Sequence, residues 1–478
     1  MKKAKKQVGI VGFGAYIPIH RMQKKVIGQM WGSIGGRGEK AVANWDEDSL
    51  TMGVEACIDS LRNFERDRIA GVLFASTTPP FREKQSASLI RKVLDLPSDS
   101  LTVDFANSLR GGTLGLRMAM DAVRAGSGAN YLVAAADLRV SAPNSTLEAE
   151  FGDGAASLLI GNKDLLVTIN GHYSFTSEFI DTWRRDRDAY SQRWDDRFVL
   201  TEGYRRLMVK ALKEFFKKQG TGPKDYTRAA LYAPNARSLS SVAKATGMSF
   251  SEQLATDLLD RVGDTGSAMA LMMLVEALEK SQAGDRVLLA GYGDGVDVFD
   301  LTVTDKISQY KRGRGVEKHL ASGMPLKSYG RYLRFRDLME WEFDRRAPDR
   351  TSLPVLYRES SQIYSLHGGR CRQCGVIQFP IQRVCTECQA KDDFDEVRLS
   401  ETRGTVFTFS MDERAMVPDL PNVLCIVDLE GGGRYFSVMT DRIPAEVQIG
   451  MPVEMTFRRI HDGLSLYNYF WKTRPIRA

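Results

Sequence analysis

Four cysteines in the stretch CRQCGVIQFPIQRVCTEC have types and spacing that point to one chemistry. Cys371 and Cys374 are separated by two residues, and Cys385 and Cys388 repeat that spacing. Each CxxC turns tightly enough to aim two thiolates at one point, so two of them supply the four sulfurs of a tetrahedral Zn²⁺ site. A closed four-cysteine set leaves no open coordination position, so the zinc is expected to be structural rather than catalytic. Redox cysteines, or a ribbon that has lost its metal, are the alternatives. The other two cysteines, Cys57 and Cys425, lie in apolar surroundings and read as buried core thiols. Few and clustered cysteines suit a reducing, cytoplasmic compartment.

A second stretch, DFANSLRGGTLGL at 104–116, has the form of a nucleophile seat without its nucleophile. An apolar run, LTV, enters as a strand, a Gly-Gly pair turns the chain, and LRMAMDAV leaves as a helix. The centre of the turn is Leu109, which cannot attack a carbonyl. Ser108 lies one residue early, so its side chain should leave the turn in another direction, and it needs an adjacent base.

The elements that position this seat occur twice. DRIAGVLFAST (67–77) and ANYLVAAADL (129–138) flank a helical segment in the first half. YTRAALYAPN (226–235) and GDRVLLAGYGDG (284–295) do so in the second. The helices TLGLRMAMDAVRAG and GSAMALMMLVEALEKS carry apolar residues at three- and four-residue spacing. Strands alternating with helices predict an α/β fold with a mostly parallel sheet. The repetition predicts two similar halves, about 6–165 and 166–305, packed as α/β/α/β/α layers in a domain over 1–305. Residues 306–325, with the basic KRGRGVEK (311–318), read as a linker. A long amphipathic helix, PLKSYGRYLRFRDLMEWEF, is expected within a helical lead-in at 326–365, followed by the zinc ribbon at 366–395. Short β segments with Gly-rich turns over 396–478 predict a small OB-type barrel.

Composition narrows the function classes. With 43% apolar and 26% charged residues the chain is an ordinary globular protein, and no apolar run approaches a membrane span. The N-terminal MKKAKKQ is basic, but VGIVGFGAYIPI after it is short and Gly-broken, so no signal peptide is expected. A formal charge of +6 and scattered basic residues argue against nucleic acid. RRDR (184–187) and KRGRGVEK read either as solvated surface or as a basic mouth for an anionic ligand.

Several motifs give residues 6–305 a resemblance to the thiolase superfamily, in particular to 3-hydroxy-3-methylglutaryl-CoA synthase and ketoacyl synthase III. They are STTP (76–79), NSLRGGT (107–113), FGDGAASLLIG (151–161), LYAPN (231–235), GDTGSA (263–268) and GYGDG (291–295). Residues 320–478 resemble the OB-fold acyl-CoA-associated domain with a rubredoxin-like zinc ribbon, a family that partners thiolase-like subunits. The resemblance implies a homodimer acting on acyl-CoA thioesters, with coenzyme A as part of the substrate, and a hydratase or other pathway enzyme as a further partner. It also exposes departures. The family's cysteine nucleophile falls on Leu109, its histidine on Tyr232, its asparagine on Asp264 and its general-base glutamate on Thr77. None of the five histidines occupies a matched catalytic position.

Chemistry that parks an acyl group covalently needs that cysteine; aldol and retro-aldol reactions beside a thioester do not. They need a proton handler at the β-oxygen, a stabilised enolate and exclusion of water. The resemblance assigns Tyr232 to the proton, with Asp264 orienting or charging it and Asn235 nearby. It assigns the backbone N–H groups of Leu109 and Gly293 to the oxyanion. Thiolase-like aldolases that work with zinc-ribbon OB partners share the loss of the cysteine. The expected function is therefore a cysteine-independent aldol or retro-aldol carbon–carbon lyase acting on a β-hydroxyacyl-CoA. An acyltransferase of the synthase type and a non-catalytic scaffold are the alternatives.

Overall fold

A computed structural model describes residues 7–62, 64–340, 350–463 and 466–477. The basic residues 1–6 and residues 341–349 of the expected helical lead-in lie outside them. The chain divides into two compact units. One comprises 1–43, 48–91 and 96–332; the other comprises 44–47, 92–95 and 333–478.

The first unit is organised by one nine-stranded sheet. We label its strands β1 (Gly9–Tyr16), β2 (Ile69–Ala75), β3 (Leu101–Phe105), β4 (Asn130–Leu138), β5 (Asp153–Gly161), β6 (Val167–Thr176), β7 (Arg228–Leu231), β8 (Arg286–Tyr292) and β9 (Gly295–Val303). Their order is β7-β8-β9-β6-β1-β5-β4-β2-β3. The duplication is explicit in this order. β2 and β4 are parallel, and β4–β5 and β5–β1 are antiparallel. In the second half β7 and β8 are parallel, and β8–β9 and β9–β6 are antiparallel. The halves join through a short antiparallel contact, Gly9 opposite Thr168 and Ile10 opposite Val167.

The expectation of a mostly parallel sheet is corrected here. Only three of the eight pairings are parallel, because β5 and β9 each return beside their predecessor instead of crossing over. Strands buried on both faces read as continuous apolar runs whichever way they point.

Helices fill the layers. α1 (Ser49–Ser60) packs on β1, β5 and β4, and starts at an Asp48–Thr51 capping box. Between the half-sheets lie α2 (Gly111–Ala125) and, later in the chain, the helix Met269–Glu279; they touch each other and strands of both halves. Met269 to Leu278 are all buried, as expected for a helix with sheet on both sides. On the far face α3 (Arg206–Gln219) covers β9 and β6, with α4 (Ala236–Thr246) beside it. With the Met269–Glu279 helix labelled α5, the layers are α/β/α/β/α.

Residues 306–325, expected as a linker, are folded into this unit. Gly315–Ala321 is a helix with Val316 and Leu320 buried, and Asp59 accepts from the N–H groups of Arg314 (2.6 Å) and Gly315 (2.9 Å). The expected long amphipathic helix is also shorter. It runs only over Tyr329–Phe335, and Asp337 then adopts a left-handed backbone (φ 54°).

The second unit holds two small β structures. β10 (His367–Cys371), β11 (Ile377–Gln378) and β12 (Phe394–Arg398) make a three-stranded sheet in the order β11-β10-β12. β13 (Gly404–Asp412), β14 (Asn422–Leu429), β15 (Arg434–Met439), β16 (Pro452–Asp462) and β17 (Tyr467–Pro475) close a barrel in the order β13-β14-β15-β17-β16. Alternating burial along β14 sends Val423, Cys425 and Val427 inward, and Phe457 on β16 and Trp471 on β17 are buried as well. The unit also buries a charged group: Arg458 meets Glu47 (2.5 Å) and Asp441 (2.6 Å), and Lys472 meets Asp46 (2.8 Å). Burial alone would raise the Asp46 carboxyl, but Lys472 and Arg458 outweigh it and hold it below the ordinary range.

Candidate active site

The turn at 107–110 is held from several sides. Asn107 takes a left-handed conformation (φ 66°), and Arg110 closes the turn as the N-cap of α2. Arg110 and Thr113 both bond the buried Asp297, at 3.4 and 2.9 Å. Gly293 is pressed against the turn: a side chain there would lie 2.8 Å from the Arg110 nitrogen and 2.9 Å from the Leu109 nitrogen, at a φ of +148° that favours glycine.

Leu109 lines a small cavity with Arg139, Asp181, Tyr204, Tyr232, Asp264 and Tyr292. Its accessible volume is about 10 Å³, room for one water. None of the six cysteines lines it. Burial pushes the Cys57 thiol up to about 12, and burial also raises Cys425, so neither is an activated nucleophile.

Two tyrosine–carboxyl pairs face this space. Tyr232, at the end of β7, donates to Asp264 Oδ2 at 3.1 Å. The same oxygen accepts from Arg139 at 2.6 Å, and Oδ1 accepts from the Gly266 N–H at 2.9 Å. Arg139 and Asp264 are both buried, so this is an ion pair shielded from water. Burial first, and then the Asp264 charge, hold the Tyr232 phenol well above the ordinary tyrosine range. Asp264 therefore orients the phenol and keeps it protonated; it does not charge it. The second pair is Tyr292 and Asp181, which line the cavity together and bear on each other's titration. The Tyr292 ring stacks on that of Tyr232 with centroids 5.8 Å apart. Tyr204 completes the aromatic cluster and donates to the Tyr232 carbonyl at 2.8 Å.

The candidates drawn from the sequence separate in the fold. Tyr232, Asp264 and Leu109 come together. Gly293 adjoins them, but its N–H donates to the Gly295 carbonyl at 3.0 Å, so it is not free for an oxyanion; the Leu109 N–H has no acceptor among the described residues. Asn235 does not line the cavity: its Oδ1 accepts from the Ser238 N–H at 2.9 Å and caps α4. Ser108 donates to Asp294 at 2.8 Å, with no histidine beside it. Thr77 Oγ1 donates to the buried Asp137 at 3.0 Å, tying the loop after β2 to the end of β4. RRDR is partly paired: Arg185 meets Asp188 at 2.8 Å, and Asp186 meets Arg82 at 3.5 Å. Arg139, Asp181 and Tyr292 were missed by sequence reasoning. Tyr292 sits inside GYGDG, where only the glycines drew notice, and the other two carry no motif.

The four ribbon cysteines converge as expected. Their sulfurs all lie within 4.8 Å of one another, with Cys371–Cys388 at 3.6 Å and Cys374–Cys385 at 3.5 Å. A tetrahedral site with Zn–S bonds of about 2.3 Å needs sulfurs about 3.8 Å apart, so the set fits zinc. The two knuckles share one geometry: the Gly375 N–H bonds the Cys371 carbonyl and the Gln389 N–H bonds the Cys385 carbonyl, with left-handed φ of 77° and 64°. Cys371, Cys374, Cys385 and Cys388 hold a structural Zn²⁺.

Comparison with known proteins agrees with this layout. Residues 216–303 match the family described as 3-oxoacyl-[acyl-carrier-protein (ACP)] synthase III C terminal. Residues 362–395 match the ChsH2 rubredoxin-like zinc ribbon domain, and residues 396–458 match the ChsH2 C-terminal OB-fold domain. Among solved structures, an HMG-CoA synthase complexed with CoA shares the fold at a TM-score of 0.63 and 17% identity, covering 72% of this chain and 94% of that one. MvaS in complex with 3-hydroxy-3-methylglutaryl coenzyme A gives 0.62 and 22%, covering 73% and 96%. The hydroxymethylglutaryl-CoA synthase of Aeropyrum pernix is 31% identical over 348 residues, 70% of this chain and 96% of that protein. That of Methanocaldococcus jannaschii is 32% identical over 340 residues, 69% of this chain and 98% of that protein. With nearly the whole length of such relatives matched, and a duplicated thiolase fold beneath the match, the chain belongs to the hydroxymethylglutaryl-CoA synthase family.

Proposed function

We propose that this protein makes or breaks the Cα–Cβ bond of a β-hydroxyacyl-CoA by an aldol-type reaction without a covalent acyl-enzyme. One observation carries the proposal: Leu109 stands where the nucleophile is expected, while Tyr232, bonded to the ion-paired Asp264, faces the same cavity. In the cleavage direction the β-hydroxyl proton passes to the Tyr232 oxygen as the phenol proton passes to Asp264 Oδ2. The O–H electrons form the new carbonyl, and the Cα–Cβ pair moves into the thioester as an enolate. The Leu109 N–H, just before the N-terminus of α2, is placed to hold the enolate oxygen. Protonation of Cα completes the reaction, giving an acyl-CoA and a carbonyl compound. Leu109 fills the space a thiolate would need, which disfavours acyl transfer.

The proposal includes a homodimer, because β3 ends the sheet with an unpaired edge and Leu101 on it is exposed. It also includes a hydratase-type partner to supply the β-hydroxyacyl-CoA, and a reducing cytoplasm that keeps the ribbon thiolates available for zinc. Among the described residues no helix is long and apolar enough to cross a membrane.

Condensation of the synthase type is the second reading, favoured by what the relatives are named for. It needs a parked acyl group, and Ser108 is the hydroxyl available. A panel of β-hydroxyacyl-CoAs, followed by mass spectrometry, should give acyl-CoA and carbonyl products with no adduct on 104–116. An acyl group mapped to Ser108 would replace the aldol reading with acyl transfer. A broad panel that yields no product would leave a non-catalytic scaffold.

A further inference from the structure

Retro-aldol cleavage moves two protons, one off the β-oxygen and one onto the α-carbon, and the cavity holds two carboxyl groups in opposite electrostatic settings. Asp264 spends its charge on Arg139 at 2.6 Å. Asp181 has no salt bridge among the described residues. It accepts from the Thr182 N–H, and Tyr292 lines the cavity with it. Both carboxyls line the same space as Leu109. They approach from different parts of the chain: Asp181 just after β6, at the start of the hairpin Thr182–Trp183/Gln192–Arg193, and Asp264 from the loop before α5. The rings of Tyr232 and Tyr292, one from each pair, stack with centroids 5.8 Å apart.

Resting on the aldol reading above, we propose that Asp181, which lines the cavity with Tyr292, is the catalytic acid–base group for the α-carbon, delivering a proton to the enolate in cleavage and removing the α-proton in condensation. When two titratable groups share a site but differ in surroundings, the difference assigns the acid and the base. Burial raises Asp181 above the usual carboxyl range; the nearby charges are Arg139, which opposes this, and Asp294, which adds to it. A carboxyl so placed holds a proton more readily than a free one, whereas Asp264 is tied to Arg139 at 2.6 Å. The balance closes. The β-hydroxyl proton ends on Asp264, the Cα–Cβ pair becomes the enolate, the enolate takes the Asp181 proton at Cα, and exchange with water resets both carboxyls.

The test separates the α-carbon step from bond cleavage. Acetyl-CoA and propionyl-CoA are incubated with the full-length, zinc-loaded protein in D₂O, and deuterium at Cα is read by mass spectrometry. Wild type should exchange. Asp181→Asn, which keeps the size of the side chain, should slow exchange by about 10²–10⁴-fold. Tyr292→Phe should slow it less, because it changes the surroundings of the acid without removing it. Tyr232→Phe should slow cleavage of a β-hydroxyacyl-CoA far more than it slows exchange. Circular dichroism and thermal unfolding check that each variant is folded, and if Asp181→Asn does not fold, Tyr292→Phe carries the test by requiring slowed exchange. Exchange at the wild-type rate in folded Asp181→Asn overturns the assignment, as does a wild type that exchanges neither thioester. A wild type that exchanges but cleaves nothing in the panel loses the aldol reading and keeps Asp181 as the α-carbon acid–base group.

Discussion

Tyr232→Phe separates catalysis from packing better than any other single change, because the structure fixes what it removes. The ring keeps its stack on Tyr292, and the backbone carbonyl keeps the Tyr204 bond at 2.8 Å. Asp264 loses one donor at 3.1 Å but retains Arg139 at 2.6 Å and the Gly266 N–H at 2.9 Å, so no buried acceptor is orphaned. Stability should fall by no more than the roughly 1.5–3 kcal/mol of a hydrogen bond to a charged group. Cleavage should fall by about 10²–10⁴-fold, the usual contribution of a proton-transferring side chain. Asp264→Asn should act differently, since it strips the charge facing a buried Arg139 and breaking a buried pair costs about 3–5 kcal/mol. It should lose both turnover and thermal stability. The double variant should lose less activity than the product of the single losses, because the two groups act as a unit. Steady-state kinetics on the panel substrate, with calorimetry alongside, gives all the quantities. Wild-type turnover in Tyr232→Phe would reduce Tyr232 to a core aromatic and refute the mechanism.

Metal analysis should find about one zinc per chain, and Cys385→Ser should make the region around the ribbon protease-sensitive; a folded wild-type protein free of metal would count against the site. Gly293→Ala should cut turnover by about 10²-fold or more, because its Cβ would meet the Leu109 and Arg110 nitrogens and shift the turn that presents the oxyanion donor; unchanged kinetics would remove that turn from the mechanism. His367 lies between Asp95 at 2.8 Å and Glu396 at 2.9 Å, and hydrogen bonding to Asp95, followed by that to Glu396, raises it above the ordinary histidine value despite burial. A group raised on folding stabilises fully below its unfolded value, about 6.5, and loses that contribution as pH climbs through the higher folded one. Melting temperatures of the zinc-loaded protein should therefore decline across that window, and His367→Gln should flatten the decline; parallel curves would show that the pair contributes nothing.

The fold was legible where burial and repetition carried the information. Apolar strands at matching places in two halves, each with its long apolar-faced helix, led to the duplicated layers, and the paired CxxC knuckles led to the ribbon. Strand direction was not legible, because β5 and β9, buried along nearly their whole lengths, present the same apolar run in either orientation. The basic stretch 311–318 looked like a linker for a related reason. Its charges are local, whereas what fixes it are distant acids: Asp59 on the Arg314 and Gly315 N–H groups, and Glu279 on the Val316 N–H at 2.9 Å. The long helix failed at Asp337, whose left-handed φ no amphipathic pattern announces.

The site divides along the same line. Tyr232 and Asp264 could be placed because each sits in a motif whose usual occupant does chemistry. Asn235 was placed by the same logic and fell to helix capping, since an asparagine ahead of a helix satisfies a backbone N–H more readily than it serves a substrate. Arg139 and Asp181 lie in no motif; they matter because the ends of β4 and β6 open onto one cavity with the ends of β7 and β8. A sequence records which residue replaces a nucleophile, but the electrostatic consequence appears only when distant charges converge. On the aldol reading proposed above, a cavity without the thiol still moves protons. Among the described residues one carboxyl is paired with an arginine and the other has no salt bridge, and two stacked phenols line the same cavity, which supports the proposed proton chemistry over a parked acyl group.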